Sequence, residues 1–239
     1  AGGTGGANTV TLTTAGTTTG GATIETYSLA TTGGNTFTLG AGSQSVVGSA
    51  GQNDVVNTGS FTTVNGTINL GTGGTDQLVI TTDGTDISGA TIAVGSVEQI
   101  NLGTNSALMT AAQNNNSTVG GTGGANTVTL TTAAATTGGA TIETYVLKDA
   151  TGNDFTLGAS AQNVTGSANQ DDIVRTGTLT SVTGTLSAGG QTSADQLIIT
   201  TNNTNISSAN ISGFEQINLG ANSATMTLAQ NNNSTVGGT

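Results

Sequence analysis

The chain has no cysteine, proline, histidine or tryptophan, and only 3% of its 239 residues are aromatic. Each gap removes a class of chemistry. Without histidine or cysteine there is no imidazole base, no thiolate nucleophile and no zinc-finger ligand set. Lys148 and Arg175 are the only cationic side chains against 13 carboxylates, a formal net charge of -11. Nothing is therefore available to neutralise a phosphate backbone, which excludes nucleic acid and anionic membrane surfaces as natural partners. No apolar run approaches the roughly 20 residues that cross a bilayer, so membrane insertion is not expected. A chain of this length without cysteine needs no disulfide, and its redox compartment stays open. Charged residues reach 6%, against about 25% in an average soluble domain. The sequence opens at Ala1 with neither Met nor a signal-like segment, and is expected to be a mature or excised piece of something longer.

What fills the space is a repeat. GGTGGANTVTLTT at 2–14 returns at 120–132, and GGATIETY at 20–27 returns at 138–145, an offset of 118. Two units, 1–118 and 119–239, account for the whole chain and are read as one continuous stack of repeats. Residues 236–239 match 119–122, so the array is expected to continue. Within each unit three finer blocks emerge. In the first unit they open at Gly5, Gly48 and Gly71 and close at Leu29, Leu70 and Leu102.

The local pattern is strand and turn. In TVTLT, Val10 and Leu12 point one way and Thr9, Thr11 and Thr13 the other; Phe37/Leu39, Leu78/Ile80, Ile100/Leu102 and Ile217/Leu219 repeat the alternation. Gly, Asn, Asp, Ser and Thr separate these strands of three to six residues, and all suit turns. No window shows helical apolar spacing. Independent sandwich domains and a stacked solenoid both accommodate such strands, but a sandwich packs large aromatics and uses Pro in its loops. Six Phe and Tyr in total favour the coil, whose narrow interior needs only a few aliphatics per turn. Regular in/out alternation argues against the disorder that so much Gly, Ser, Thr and Asn would otherwise suggest. The expected fold is therefore all-β, a parallel β-helix or β-roll-like solenoid. Roughly 20 residues per turn would give on the order of twelve turns and a rod ~55 to 60 Å long.

GTGGTDQLV at 71–79 is one glycine short of the nonapeptide G-G-x-G-x-D-x-U-x of calcium-binding β-rolls. GSAGQNDVV at 48–56, GTGGANTVT at 121–129 and GSANQDDIV at 166–174 are looser relatives. With DQLVITTDGTDISGATIAVGSVEQINLG and ISGFEQINLG, these segments resemble repeat modules of large secreted Gram-negative surface proteins: S-layer proteins, biofilm matrix proteins and giant adhesins, commonly exported by type I secretion. The resemblance implies an extracellular, cell-surface location and calcium held between stacked turns by Asp carboxylates and backbone carbonyls, as a hard cation with six to eight oxygen ligands requires. Asp76, Asp171, Asp172 and Asp195 are the candidate calcium ligands. The sequence also departs from that pattern: the Asp-equivalent positions Asn8, Asn35, Asn53 and Asp76 are widely spaced, and three of the four carry neutral Asn. The second unit offers Asn126, Asn153, Asp171 and Asp195, with Asp54, Asp154 and Asp172 next door to such positions. Capped turns and Asn ladders are the competing reading.

Glu25, Glu98, Glu143 and Glu215 share one repeated position that alternation places on the outer face. Paired carboxylates serve glycoside hydrolysis, but catalytic pairs are not copied once per repeat, and the side chains that position a sugar are missing, so no enzymatic activity is expected. Ranks of Thr, as at Thr9, Thr11 and Thr13 or Thr127, Thr129 and Thr131, can match an ordered water lattice and raise an ice- or carbohydrate-binding solenoid, with cell-surface glycans as partners, as an alternative. The leading expectation is a structural module of an extracellular bacterial assembly that contacts copies of itself. A stiff spacer within an adhesin is the second.

Overall fold

The structure, a computed structural model, describes residues 6–147, 151–168, 170–190 and 194–238. Its strands are two to four residues long, and each pairs in parallel with its counterpart one turn later. Such short strands form because every segment supplies one or two apolar residues between corners that turn the chain. Among the described residues only Asn203 joins the glycines in left-handed backbone, at φ 61°. A corner such as Gly71, at φ 100°, is costly for a residue bearing a Cβ.

The chain divides into two compact units, one comprising Ala1–Met109 with Asn115–Gly124 and the other Thr110–Asn114 with Ala125–Thr239. In the first, one face stacks Thr9–Thr11, Thr26–Ser28, Ser45–Val47, Thr67–Asn69 and Thr91–Ile92. The other stacks Thr17–Thr19, Thr36–Thr38, Val55–Asn57, Gln77–Val79, Gln99–Asn101 and Thr118–Gly120. A narrow third face pairs Thr85–Asp86 with Ala107–Met109. The second unit follows the same plan. Thr127–Leu130, Thr144–Leu147, Asn163–Thr165, Thr185–Ser187 and Asn210–Ser212 form one face. Ala135–Thr137, Asp154–Thr156, Ile173–Arg175, Gln196–Ile198, Gln216–Asn218 and Thr235–Gly237 form the other, and Thr204–Asn205 pairs with Ala224–Thr225. Each unit is a parallel β-solenoid.

Parallel register places like residues directly above one another, so the core is built from columns. Phe37, Val56, Leu78 and Ile100 stack in one, Phe155, Val174, Leu197 and Ile217 in its counterpart, and all eight are fully buried. Burying each such side chain stabilises the fold by about 1.5–3 kcal/mol. Tyr27 and Tyr145 widen the core at one level of each unit, packing against Phe37 and Phe155 with ring centroids 4.7 Å apart. The backbones also approach closely: a Cβ on Gly66 would run into the Gln44 carbonyl one turn away.

Two features differ from the sequence reading. The turns do not follow the block boundaries, because the strand Thr26–Ser28, at the end of the first block, starts a turn that runs on through Thr36–Thr38, between Leu29 and Gly48. Short helices also occur, at Ala111–Asn116 and Leu228–Asn233. Neither has an amphipathic period. The second is set by a capping box, with Thr227 Oγ1 accepting from the Gln230 amide and Gln230 Oε1 accepting from the Thr227 amide.

Candidate functional site

The acidic side chains lie at the corner immediately before the strands. The rule is simple: an Asn, Asp or Glu stands two residues before an inward-pointing core residue, as in Asn35-x-Phe37, Asp54-x-Val56, Asp76-x-Leu78 and Glu98-x-Ile100. Each of the three carboxylates reaches back to the turn before. Asp54 Oδ1 accepts from the Asn35 amide at 2.9 Å and from Asn35 Nδ2 at 2.8 Å; Asp76 Oδ1 accepts from the Asp54 amide at 2.7 Å; Glu98 Oε2 accepts from the Asp76 amide at 2.7 Å. These partners are 19, 22 and 22 residues apart, one turn at a time. In the second unit Asn153, Asp172, Asp195 and Glu215 form the same column, with amide-to-carboxylate distances of 2.8, 2.6 and 2.9 Å. On the opposite face Glu25 accepts from the Asn8 amide and Glu143 from the Asn126 amide.

A carboxylate hydrogen-bonded to a backbone amide satisfies a donor that the ladder leaves unpaired at the corner, a charge-assisted bond stronger than a neutral one. Asp54, Asp76, Asp172 and Asp195 are completely buried. Room for them is made by glycine: a Cβ on Gly48 would lie 2.5 Å from Asp54 Oδ2, and one on Gly166 2.5 Å from Asp172 Oδ2. This gives a physical reason for the glycine that opens GSAGQNDVV and GSANQDDIV. Asp172 Oδ2 is further held by the Ser167 amide at 2.6 Å, whereas Asp76 Oδ2 is buried without a hydrogen-bond partner. Desolvation, reinforced by Glu98 and Asp54 and opposed by the bond from the Asp54 amide, pushes the Asp76 carboxyl up to about 6. Glu25 shifts the other way, because the Asn8 amide and side chain hold its ionised form.

Of the four carboxylates singled out as calcium ligands, Asp172 and Asp195 are neighbours in one column and Asp76 occupies the equivalent column of the first unit. Asp171 stands outside it, exposed, with Oδ1 accepting from the Ala194 amide at 2.9 Å. Asn53 does the same for the Thr75 amide. The columns are thus one residue out of step with the spacing read from the nonapeptides, since Asp54 and Asp172 occupy them in place of Asn53 and Asp171. Among the described residues no three or more Asp, Glu, His or Cys side chains converge as a metal-binding group. One oxygen of each column carboxylate is committed to a backbone amide of the turn before, and the second oxygen of Asp172 to the Ser167 amide, so these side chains are used within the stack itself.

Two further pairs of polar groups escaped the sequence reading. Gln44, buried, donates through Nε2 to the carbonyls of Gly21 and Ile24 and accepts the Gly40 amide, closing a corner of the stack, and Gln162 repeats those contacts on Gly139, Ile142 and Gly158. The Tyr27 and Tyr145 hydroxyls accept the Gly21 and Gly139 amides. Their exact recurrence at the 118-residue offset was the available signal. On the outside, Arg175 makes a two-pronged ion pair with Asp154 at 2.7 and 2.8 Å, and Lys148 lies outside the described residues. Outward hydroxyls line up at Thr9, Thr26 and Ser45, and again at Thr67 and Thr91, but Asn163 and Asn210 interrupt the corresponding column of the second unit.

Comparison with family models, curated proteins and solved structures yields no match.

Proposed function

We propose that this chain is a structural repeat module of an extracellular bacterial assembly, such as an S-layer, a biofilm matrix or a surface filament, and that its role lies in the scaffold it forms. The observation that carries this reading is the use made of its polar side chains. Asp54, Asp76, Asp172, Asp195, Glu98 and Glu215 all cap backbone amides of the adjacent turn, and Gln44 and Gln162 close corners. Chemistry that an enzyme would aim at a substrate is spent here on joining one turn to the next. The nonapeptide-like segments support a place among secreted surface proteins, and the scarcity of lysine leaves few sites for trypsin-like proteases in an exposed location.

Electron microscopy of native surface material labelled with antibody to this chain tests the proposal. Label on ordered filaments or sheets is expected. Label confined to isolated tethered fibrils would replace the reading with an adhesin spacer, and label inside the cell would overturn it.

A further inference from the structure

In the first unit, the outer face of the strands Gln99–Asn101 and Thr118–Gly120 holds a depression of about 270 Å³, bounded by Gln99, Asn101, Thr118 and Gly120 and rimmed by Gly121 and Thr122. Its origin is a missing side chain. Register sets Gln99 beside Thr118 and Asn101 beside Gly120, so the four outward positions mark a rectangle about 4.8 Å by about 7 Å. Three corners carry polar side chains and the fourth carries none. The rectangle one turn earlier, formed by Gln77, Val79, Gln99 and Asn101, has a side chain at every corner. The second unit repeats the arrangement: Gln216 pairs with Thr235 and Asn218 with Gly237, around a depression of about 200 Å³.

The side chains around the depression are polar, uncharged and have hydrogen-bonding capacity to spare. Asn101 Oδ1 accepts the Gly103 amide at 2.9 Å, which fixes the carboxamide and leaves Nδ2 a donor without a partner among the described residues. Asn218 Oδ1 is held in the same way by the Gly220 amide, also at 2.9 Å. The Gln99 carboxamide and the Thr118 and Thr122 hydroxyls have no partner among the described residues either. A ligand seated over Gly120 therefore meets an oriented donor, a carboxamide that both gives and accepts, and two hydroxyls. Methylene stems and glycine Cα atoms supply carbon surface between them. No carboxylate lines the depression to hold a cation, and a chain of net charge -11 repels an anion. An apolar ligand would leave the carboxamides unpaired. Alternating hydroxyls and C–H groups on a neutral sugar ring satisfy both kinds of surface. The volume falls below the roughly 300–1,000 Å³ of pockets that enclose a drug-sized ligand, so one ring of a longer chain is what it accommodates.

The geometry points to a shallow subsite for one neutral hexose ring of a glycan chain, one on each unit. The ring lies over Gly120 or Gly237, takes a hydrogen bond from Asn101 Nδ2 or Asn218 Nδ2, and exchanges hydrogen bonds with the Gln99 or Gln216 carboxamide. A ring of about a dozen heavy atoms on an open surface binds with a dissociation constant on the order of 1 mM. The subsite is separate from the hydroxyl ranks at Thr9, Thr26 and Ser45, which stack on a different face. The inference goes beyond the scaffold reading and does not depend on it, since microscopy decides the scaffold whatever the subsite binds.

Titration of the isotope-labelled 239-residue chain with glucose, galactose and mannose, and with their polymers dextran, galactan and mannan, tests it by NMR, with polygalacturonate as the charged control. At least one hexose is expected to shift the side-chain amides of Gln99, Asn101, Gln216 and Asn218 and the backbone amides of Gly120 and Gly237, saturating in the millimolar range. Its polymer, which engages more than one subsite, is expected to bind more tightly, and polygalacturonate to leave these signals in place. Gln99→Ala is expected to weaken the first subsite about threefold to tenfold and to leave the Gln216 and Asn218 shifts unchanged. Gly120→Val fills the depression and is expected to abolish the response of the first subsite alone. Gly120 is not in left-handed backbone, and a side chain there points outward as that of Thr118 does, while the unaltered response of the second unit reports folding. No response to any of the three hexoses, shifts confined to other residues, an equal response to polygalacturonate, or a Gly120→Val chain that binds like the parent overturns the subsite. A polymer bound no more tightly than its hexose overturns the glycan chain in favour of a free sugar.

Discussion

Asp54, Asp76 and Glu98 stand one turn apart in a single column, and stacking like charges in a dry interior sets what each side chain contributes. Asp76, with Oδ2 unpartnered and its pKa pushed up to about 6, binds its proton more tightly in the folded chain than in the unfolded one, where Asp titrates near about 4. The folded state therefore holds more protons between those two values, and the contribution of Asp76 to stability declines as pH rises from about 4 to about 6, then levels off. Glu25 acts in the opposite sense, since its lowered value adds stability at neutral pH that is lost on acidification. Asn35 shows that the column accepts an uncharged amide. Asp76→Asn, which still offers an oxygen to the Asp54 amide, is expected to remove the decline attributed to Asp76; denaturant titrations of both proteins at a series of pH values measure it, and identical slopes would contradict the assignment. Asp76→Ala strands the buried Asp54 amide and is expected to cost about 1–3 kcal/mol. At this scale the sequence was only partly legible. Runs such as Asn53-Asp54 and Asp171-Asp172 present two adjacent polar residues, and a one-residue slip exchanges the column for the surface. The pattern that resolves them is the distance to the next core residue, which also brings Glu98 and Glu215 into the class that the nonapeptide had limited to Asn and Asp.

At the scale of the element, strands this short have little stability of their own and depend on their neighbours above and below. The alternation of Val10 with Thr9 and Thr11, or of Leu78 with Gln77 and Val79, made the strands legible. The helical turns were not, because AAQNNN and LAQNNN have no apolar period and are fixed by the hydrogen bonds of Thr110, Thr227, Gln113 and Gln230. Two substitutions probe the stacking. Phe37→Ala removes a fully buried ring that packs on Tyr27 and is expected to cost about 3–5 kcal/mol. Gly66→Ala adds a single carbon against the Gln44 carbonyl and is expected to destabilise by about 1–3 kcal/mol although it leaves φ free. Thermal unfolding followed by circular dichroism reads both. A Gly66→Ala protein as stable as the parent would mean that neighbouring turns are looser than described.

For the molecule as a whole, parallel stacking explains how 33% hydrophobic residues and so few aromatics suffice: each turn contributes a few aliphatics to columns that the next turn extends. The 118-residue repeat was legible in full because it is written in identical segments, and the parallel coil followed from the lack of Pro and large aromatics. A turn of roughly 20 residues was legible, whereas the length of each individual turn was not, since partners 17, 19, 22, 23 and 20 residues apart mask any fixed period. Because a backbone amide already holds one oxygen of each column carboxylate, folding is expected to be independent of calcium. Chelation should leave the circular dichroism spectrum and Tm unchanged, and a large loss of Tm in chelator would show that a cation completes the column. The absence of cysteine permits the most direct test of the coil itself. Gln77 and Gln99 are register partners on adjacent turns, and Gln99 pairs in turn with Thr118. Adjacent strands bring paired Cα atoms to about 4.8 Å, within reach of a disulfide, whereas two strands away lies at about 10 Å, beyond it. Mild oxidation of Gln77→Cys/Gln99→Cys is predicted to cross-link the folded chain efficiently, with Gln77→Cys/Thr118→Cys remaining reduced; equal cross-linking of the two pairs, or none in the first, would contradict the stacked coil.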